Sequence, residues 1–218
     1  RSEAEHDAWL AEHADAVMDR LSLQCLQEKI LQPKVVYGWF RCRAEGDDLV
    51  VLDEDGRIEL ERFSFPRQAE RRRLCISDFF GDDDVIGMSC VTVGEEATAR
   101  CKSLFESGDF SEYLYLHGFA VETAEALAEL WHKRMRAELG IDADDAVTPE
   151  ELFRQQYRGS RYSFGYPACP DMADQIKLFR LLHPERIGCR LTENHQIDPE
   201  QSTSAIVVHH PEAKYFAL

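Results

Sequence analysis

The order of helical and extended patterns along the chain constrains its fold more than any other feature of the sequence. Apolar residues recur at helical spacing over residues 3–30 and again over residues 95–140. Apolar runs of strand length occupy residues 35–40, 85–94 and 202–210. Because helices and strands follow one another without a regular βαβ alternation, we predict an α+β fold with an antiparallel sheet.

The segment at residues 53–56 predicts a β-hairpin. Strand-like runs at residues 48–52 and 57–63 flank it, and its two aspartates, glutamate and glycine favour the backbone angles of tight turns. Since a hairpin joins antiparallel neighbours, this turn supports the antiparallel sheet.

Capping signals predict further helix boundaries. Gly140 is placed just past the end of the long helical pattern, which is interrupted near Gly108. Residues 148–151 have the form of a capping box with proline at the first helical position, and they predict a short helix ending near Tyr157. Asp171 can cap the helix that follows.

The long helical pattern carries an apolar and a polar stripe. The polar stripe consists of Glu122, Glu125, Glu129, His132 and Arg136.

The charge balance argues against nucleic acid as a partner. The net charge is −16, whereas phosphate contacts require clustered cations. Local basic clusters occur at Arg71, Arg72 and Arg73, and at Lys133, Arg134 and Arg136. We interpret both clusters as solvated surface. The alternative is docking of a protein partner, for which the second cluster is favoured over the first, which Arg67 extends. No apolar run approaches the roughly 20 residues that cross a bilayer, so we expect no membrane partner either.

The seven cysteines are odd in number and scattered, and none forms a C-x-x-C pair. Neither a disulfide scaffold nor a zinc ribbon is indicated, and a reducing, cytoplasmic setting is the simplest expectation. The first residue is Arg1 rather than methionine, so we expect the chain to be a piece of a longer protein.

Familiar catalytic and nucleotide-binding loops are missing from the sequence. No G-x-G-x-x-G follows a strand, no phosphate loop is present, and no H-E-x-x-H occurs on a helix. A Rossmann-type site is therefore not predicted, nor is a metal site among the histidines. Cys169 could act as a nucleophile beside a histidine, although packing as a small apolar side chain is favoured.

Residues 161–171 form the most unusual segment of the chain. Pro167 and Pro170 fix φ near about −65°, and Gly165 permits a close backbone approach. Arg161 can pair with a carboxylate through a two-pronged fork, and Tyr162 and Tyr166 offer flat aromatic walls. From these residue types alone, a ligand-binding loop and a purely structural corner both remain open.

The run Arg161-x-x-x-Gly165-Tyr166-Pro167-Ala168-Cys169-Pro170 resembles the signature of the activation domain of cobalamin-dependent methionine synthase. Further segments resemble that family in the same order: residues 75–80, 85–94, 124–136, 157–159, 191–193, 202–204 and 210–216. The resemblance covers nearly the whole chain. It implies a single domain over residues 1–218 with a twisted antiparallel sheet flanked by helices, not a Rossmann fold.

The resemblance also implies a site for S-adenosylmethionine. The ligand-binding positions that it implies are Arg161, Ser163, Gly165, Tyr166, Glu125, Tyr215 and Phe216. In this family the arginine binds the methionyl carboxylate, and the positions of Ser163 and Gly165 contact the ligand through backbone. Tyr166 falls near the face where ligand meets corrin.

Two departures from the family pattern stand out. An N-terminal aspartate normally contacts the amino group of the ligand, and this chain begins after that segment, so the N-terminal part of the domain is expected to be missing. Ser163 replaces a common alanine, which matters little if the backbone does the binding.

The activity that the resemblance implies is reductive reactivation of methionine synthase, the methyltransferase that acts on homocysteine in methionine biosynthesis. Cob(II)alamin, held mainly by another domain of the enzyme, takes an electron from a flavodoxin-type donor and a methyl group from S-adenosylmethionine, giving methylcobalamin. The chain then needs no catalytic acid or base of its own. Two alternatives stay open: a stand-alone activator of a separate corrinoid protein, and an unrelated thiol-dependent enzyme using Cys169.

Overall fold

A mixed arrangement of helices around an antiparallel sheet is seen in the computed structural model, which describes residues 3–70, 72–143 and 145–217. The strands of the main sheet are β1 (Lys34–Glu45), β2 (Asp48–Leu52), β3 (Glu59–Ser64), β4 (Asp84–Thr92), β5 (Ser160–Ser163) and β8 (Ser202–Val208). Their order is β3-β2-β1-β4-β8-β5, and every neighbouring pair is antiparallel. The predicted α+β class is confirmed. A small second sheet pairs β6 (Arg190–Leu191) with β7 (Ile197–Asp198).

The helices are α1 (Glu3–Glu28), α2 (Glu95–Glu106), α3 (Phe110–Glu138), α4 (Pro149–Phe153) and α5 (Gln175–Leu182). The predicted break near Gly108 separates α2 from α3, and Gly140 follows α3 with a φ of 66°. Helix α4 is shorter than predicted, because Gln155 turns the chain with a φ of 55°. Among the described helices, none is both long and apolar enough to cross a membrane.

The predicted hairpin joins β2 to β3. Asp53 Oδ1 accepts hydrogen bonds from the backbone N–H groups of Arg57 and Ile58, at 2.7 and 3.1 Å. Gly56 takes the positive φ, 70°, that such a turn requires. The aspartate and the glycine therefore stabilise the turn that the sequence predicted.

The sheet separates two apolar clusters, and helix α3 crosses one face of it. On that face α3 contacts β4 and β8, while α1, α2 and the first half of α3 share a cluster that includes Leu21, Cys101 and Leu116. A Cβ at Gly87 of β4 would lie 2.8 Å from Met135 Cε. Because this glycine lets α3 approach closely, the polar residues of α3 are brought beside the edge strand β5.

Candidate functional site

A cavity of about 200 Å³ opens between α3, β5 and the C-terminal segment of the chain. Its lining residues are Glu125, Glu129, Gln155, Tyr157, Arg161, Tyr162, Ser163, Tyr166, Ala168, Cys169 and Tyr215. Five of the seven positions predicted from the sequence thus meet around one space.

Strand β5 explains why Arg161 and Ser163 face this cavity together. The sequence analysis treated residues 161–171 as one loop, but residues 160–163 pair with the edge of β8. Side chains alternate between the two faces of a strand. Ser160 and Tyr162 are buried in the core direction, whereas Arg161 and Ser163 are half-buried toward α3.

Arg161 is the charged centre of the cavity. Its Nε donates to Glu129 Oε1 and its Nη2 donates to Glu125 Oε2, both at 2.8 Å. The arginine side chain is only 17% exposed. Burial alone would lower the pKa of Arg161, but the bonds to Glu125 and Glu129 outweigh it and raise that pKa. The guanidinium is therefore held as a permanent cation at the cavity wall.

Glu129 is a site residue that the sequence analysis placed only in a polar stripe. It stands four positions after Glu125 on α3, so the two side chains lie one turn apart on the same helix face. The four-residue spacing from Glu125 is the sequence signal that could have identified Glu129 as a site residue. Tyr157 also lines the cavity and was not predicted as a site residue.

Two exposed tyrosines stand at the mouth of the cavity. Tyr166 and Tyr215 are both exposed and both line it. Tyr215 is anchored by its neighbour Lys214, whose carbonyl accepts a 2.8 Å bond from the Tyr162 hydroxyl. Lys214 Nζ in turn donates to the carbonyl of Gln155 at 2.8 Å. These bonds fix the C-terminal segment against the cavity and present an aromatic surface there.

Gly165 and Phe216 do not line the cavity. The Gly165 N–H donates to Cys169 at 2.9 Å in a tight turn, and its φ is 87°. A Cβ there would lie 2.7 Å from Met172 Sδ, so the packing of the turn requires glycine at this position whether or not a ligand binds. Phe216 is buried in the core, where its ring lies 6.0 Å from that of Tyr162. Its side chain has no surface in the cavity.

A buried polar layer lies beneath the site, and it corrects the interpretation of the basic cluster Lys133, Arg134 and Arg136 as solvated surface. Arg136 and His132 are each only 1% exposed. Arg136 pairs with Asp145 through Nη1, and its Cζ lies 4.0 Å from the ring centre of Tyr157. Arg136 therefore cannot belong to a surface basic cluster, because Asp145 and Tyr157 pack against its guanidinium.

His132 packs its ring against Tyr157, with 5.2 Å between ring centres. Neither ring nitrogen has a hydrogen-bond partner among the described residues. Burial, followed by repulsion from Arg136, Arg161 and Lys214, lowers the pKa of His132 to about 3. Burial, with the charge of Glu129 next, raises the pKa of Tyr157 to about 12. Both groups are therefore neutral at physiological pH.

We predict that His132→Phe makes the protein less sensitive to mild acid. A depressed folded pKa gives stability that is complete above the unfolded value near 6.5 and is lost as pH falls toward 3. The loss approaches about 1.4 kcal/mol per pH unit below that value. Urea unfolding at pH 7, 6 and 5 measures how steeply the free energy of unfolding falls with falling pH. We expect this fall to be less steep in the variant. The exposed-histidine control His183→Asn should keep the parental slope, and an unchanged slope in His132→Phe would contradict the prediction.

Cys169 lacks the environment of a nucleophile. Its side chain is buried, and burial, with Asp174 and Asp171 next in effect, raises the pKa of the thiol. A reactive cysteine instead needs a lowered pKa and an accessible sulfur. Within residues 3–70, 72–143 and 145–217, no group of three or more His, Cys, Asp or Glu side chains is arranged to hold a metal ion.

The family to which this chain belongs follows from its match to a known protein family. Residues 2–218 match the family described as vitamin B12 dependent methionine synthase, activation domain. The chain belongs to this family. Its fold is similar to the crystal structure of the MetH reactivation domain bound to AdoHcy, with a TM-score of 0.88 and 29% sequence identity. That similarity covers 95% of this chain and 69% of the other.

Two mycobacterial relatives are similar over most of this activation-domain chain. It is 44% identical over 217 residues to the methionine synthases of Mycobacterium tuberculosis and Mycobacterium leprae, covering 91% of its own length. The matched region makes up 18% of each of those enzymes. The family resemblance seen in the sequence is confirmed.

Proposed function

We propose that the cavity binds S-adenosylmethionine and that the domain supports reductive methylation of cob(II)alamin in a methionine synthase. The observation that carries the proposal is Arg161, held as a half-buried cation between Glu125 and Glu129 at the wall of the cavity. Family membership and the similar domain bound to AdoHcy support it.

The charges of the cavity suit this ligand. S-adenosylmethionine carries a carboxylate, an ammonium and a sulfonium, so it needs one cation and a surplus of anions around it. Arg161 supplies the cation, and Glu125 and Glu129 supply two carboxylates. The exposed rings of Tyr166 and Tyr215 offer π faces to the sulfonium and to the adenine.

Positioning is the task we assign to the residues of this chain. The nucleophile would come from cobalamin bound to another domain, so the residues of this cavity would not have to supply one. Arg161 fixes the amino-acid end of the ligand, and the mouth tyrosines orient the sulfonium toward the open side of the cavity. No side chain of the cavity needs to move a proton, which agrees with the neutral, buried state of Tyr157 and the raised pKa of Cys169.

Calorimetric titration of the chain with S-adenosylmethionine and S-adenosylhomocysteine tests the proposal. We expect one binding site for each ligand, because both share the amino-acid and adenosine groups. Adenosine alone should bind more weakly, since it cannot use Arg161. Equal binding of all three would remove the assigned role of the arginine, and absence of binding would refute the proposal.

We further propose that Lys133 and Arg134 form the docking surface for a flavodoxin-type electron donor. Both side chains are exposed on α3, and Lys133 stands one turn from Glu129. Arg136 no longer qualifies, because it is buried. The competing cluster consists of Arg71, Arg72 and Arg73 with the nearby Arg67. Arg67 is neutralised by Asp47 and Asp78, Arg71 lies outside the described residues, and Arg72 and Arg73 are exposed but do not lie on the helix that carries Glu129. An acidic donor would approach this acidic protein through such a local basic patch.

Reversing both charges in the full-length enzyme, Lys133→Glu with Arg134→Glu, should slow reductive activation several-fold at low ionic strength. Added salt should shrink the difference, since exposed charges are screened over about 10 Å at 0.1 M. Binding of S-adenosylmethionine should not change. The control Arg57→Glu with Arg186→Glu makes the same change of charge at exposed positions outside both basic clusters. An equal slowing in both double variants would show that only net charge matters.

We also propose a reducing, cytoplasmic location. All seven cysteines are free thiols and all are buried. Free thiols in such number are typical of proteins that fold in a reducing compartment.

A further inference from the structure

The guanidinium of Arg161 is held along one edge. The two bonds to α3 use Nε and Nη2, whose N–H groups lie along the same edge of the planar guanidinium. The remaining edge, formed by Nη1 and Nη2, presents two parallel N–H bonds that match the two oxygens of a carboxylate. The glutamates therefore hold the arginine without occupying its Nη1–Nη2 edge.

The two glutamates hold different parts of the arginine. Glu125 binds Nη2 at the tip and its side chain is 45% exposed, whereas Glu129 binds Nε and is 33% exposed. Nε is the nitrogen nearest the flexible stem, so a bond there restricts rotation of the whole guanidinium plane. An arginine side chain otherwise has large rotamer freedom to lose when it binds a ligand.

We propose that Glu129 is a positioning residue that fixes Arg161 so that its Nη1–Nη2 edge meets the ligand carboxylate. Glu129 itself does not contact that carboxylate, which would repel it. Its contribution is to pre-order the arginine before the ligand arrives, so that less entropy is lost on binding. This inference rests on the proposed function, because it concerns the amino-acid end of the same ligand.

Calorimetry with two ligands separates positioning from a general structural role. S-adenosylhomocysteine carries the amino-acid group, whereas 5′-methylthioadenosine lacks it. Glu129→Ala should weaken binding of S-adenosylhomocysteine about tenfold and change binding of methylthioadenosine by less than about twofold. Glu129→Gln keeps an acceptor oxygen for Nε and should fall between parent and alanine variant. The matched control is Glu122→Ala, an exposed glutamate of the same helix.

Each outcome decides between these roles. Parental affinity of Glu129→Ala for S-adenosylhomocysteine overturns the inference, and so does an equal loss for both ligands. If methylthioadenosine binds too weakly to titrate, the midpoint of urea unfolding of the ligand-free variant distinguishes a positioning role from a general structural role. An unchanged midpoint together with the tenfold loss supports positioning, and a lowered midpoint overturns it. A parent chain that fails to bind S-adenosylhomocysteine contradicts the proposed function instead.

Discussion

Replacing Arg161 with alanine is expected to weaken binding of S-adenosylhomocysteine about ten- to a hundredfold. A charge-assisted hydrogen bond is worth about 1.5–3 kcal/mol, and the variant loses the only guanidinium that lines the described cavity. It also leaves Glu125 and Glu129 facing the ligand carboxylate without a cation between them. Calorimetric titration of parent and variant measures the loss directly.

Two further variants sharpen this experiment. Arg161→Lys keeps the charge but not the two-pronged geometry, so its affinity should lie between the parent and the alanine variant. Arg154→Ala removes an exposed arginine near the same site and should bind the ligand as the parent does. If Arg161→Ala binds as tightly as the parent, the arginine is a structural residue and the assignment of the carboxylate subsite is lost.

The second large effect is on stability, at the buried ion pair beneath the site. Arg136→Ala should lower the free energy of unfolding by about 3–5 kcal/mol, because it leaves Asp145 as an unpaired buried charge. It also removes the guanidinium that packs on the face of Tyr157. Urea unfolding at neutral pH measures the change.

Matched variants show whether the unpaired charge is the cause. Replacing both partners, Arg136→Met with Asp145→Leu, should recover most of the loss, since a buried pair can give way to apolar residues at little cost. Arg134→Ala removes an exposed arginine of the same helix that lies 4.4 Å from the ring centre of Trp131, and it should cost about 1 kcal/mol or less. A loss in Arg136→Ala no larger than that of Arg134→Ala would contradict the account.

Local chemistry explains the parts of the fold that the sequence predicted well. Helix α3 ends before Gly140, and the hairpin turn is closed by Asp53, because these boundaries depend on short-range capping and turn bonds. The α+β class followed from the order of the elements. The helix end and the turn are each set within a few residues along the chain.

The features that the sequence did not predict depend on distant neighbours. Strand β5 has only four residues, so its alternation is too short to separate from a loop without its partner β8. His132 and Arg136 lie on a polar stripe, but both are buried, because Tyr157 packs against both of them and Asp145 pairs with Arg136. The signature motif indicated Arg161 as a ligand residue, whereas its bond to Glu129 appears only when α3 meets the sheet edge.

A crystal structure of the chain with S-adenosylhomocysteine tests the central claim most directly. The ligand should occupy the cavity between α3 and β5, with its carboxylate within about 3 Å of Arg161 Nη1 and Nη2. Glu129 should still accept from Arg161 Nε, as it does in the free chain. A ligand bound instead in the neighbouring cavity lined by Gln196, Asp198 and Glu200, with Arg161 unchanged, would contradict the account.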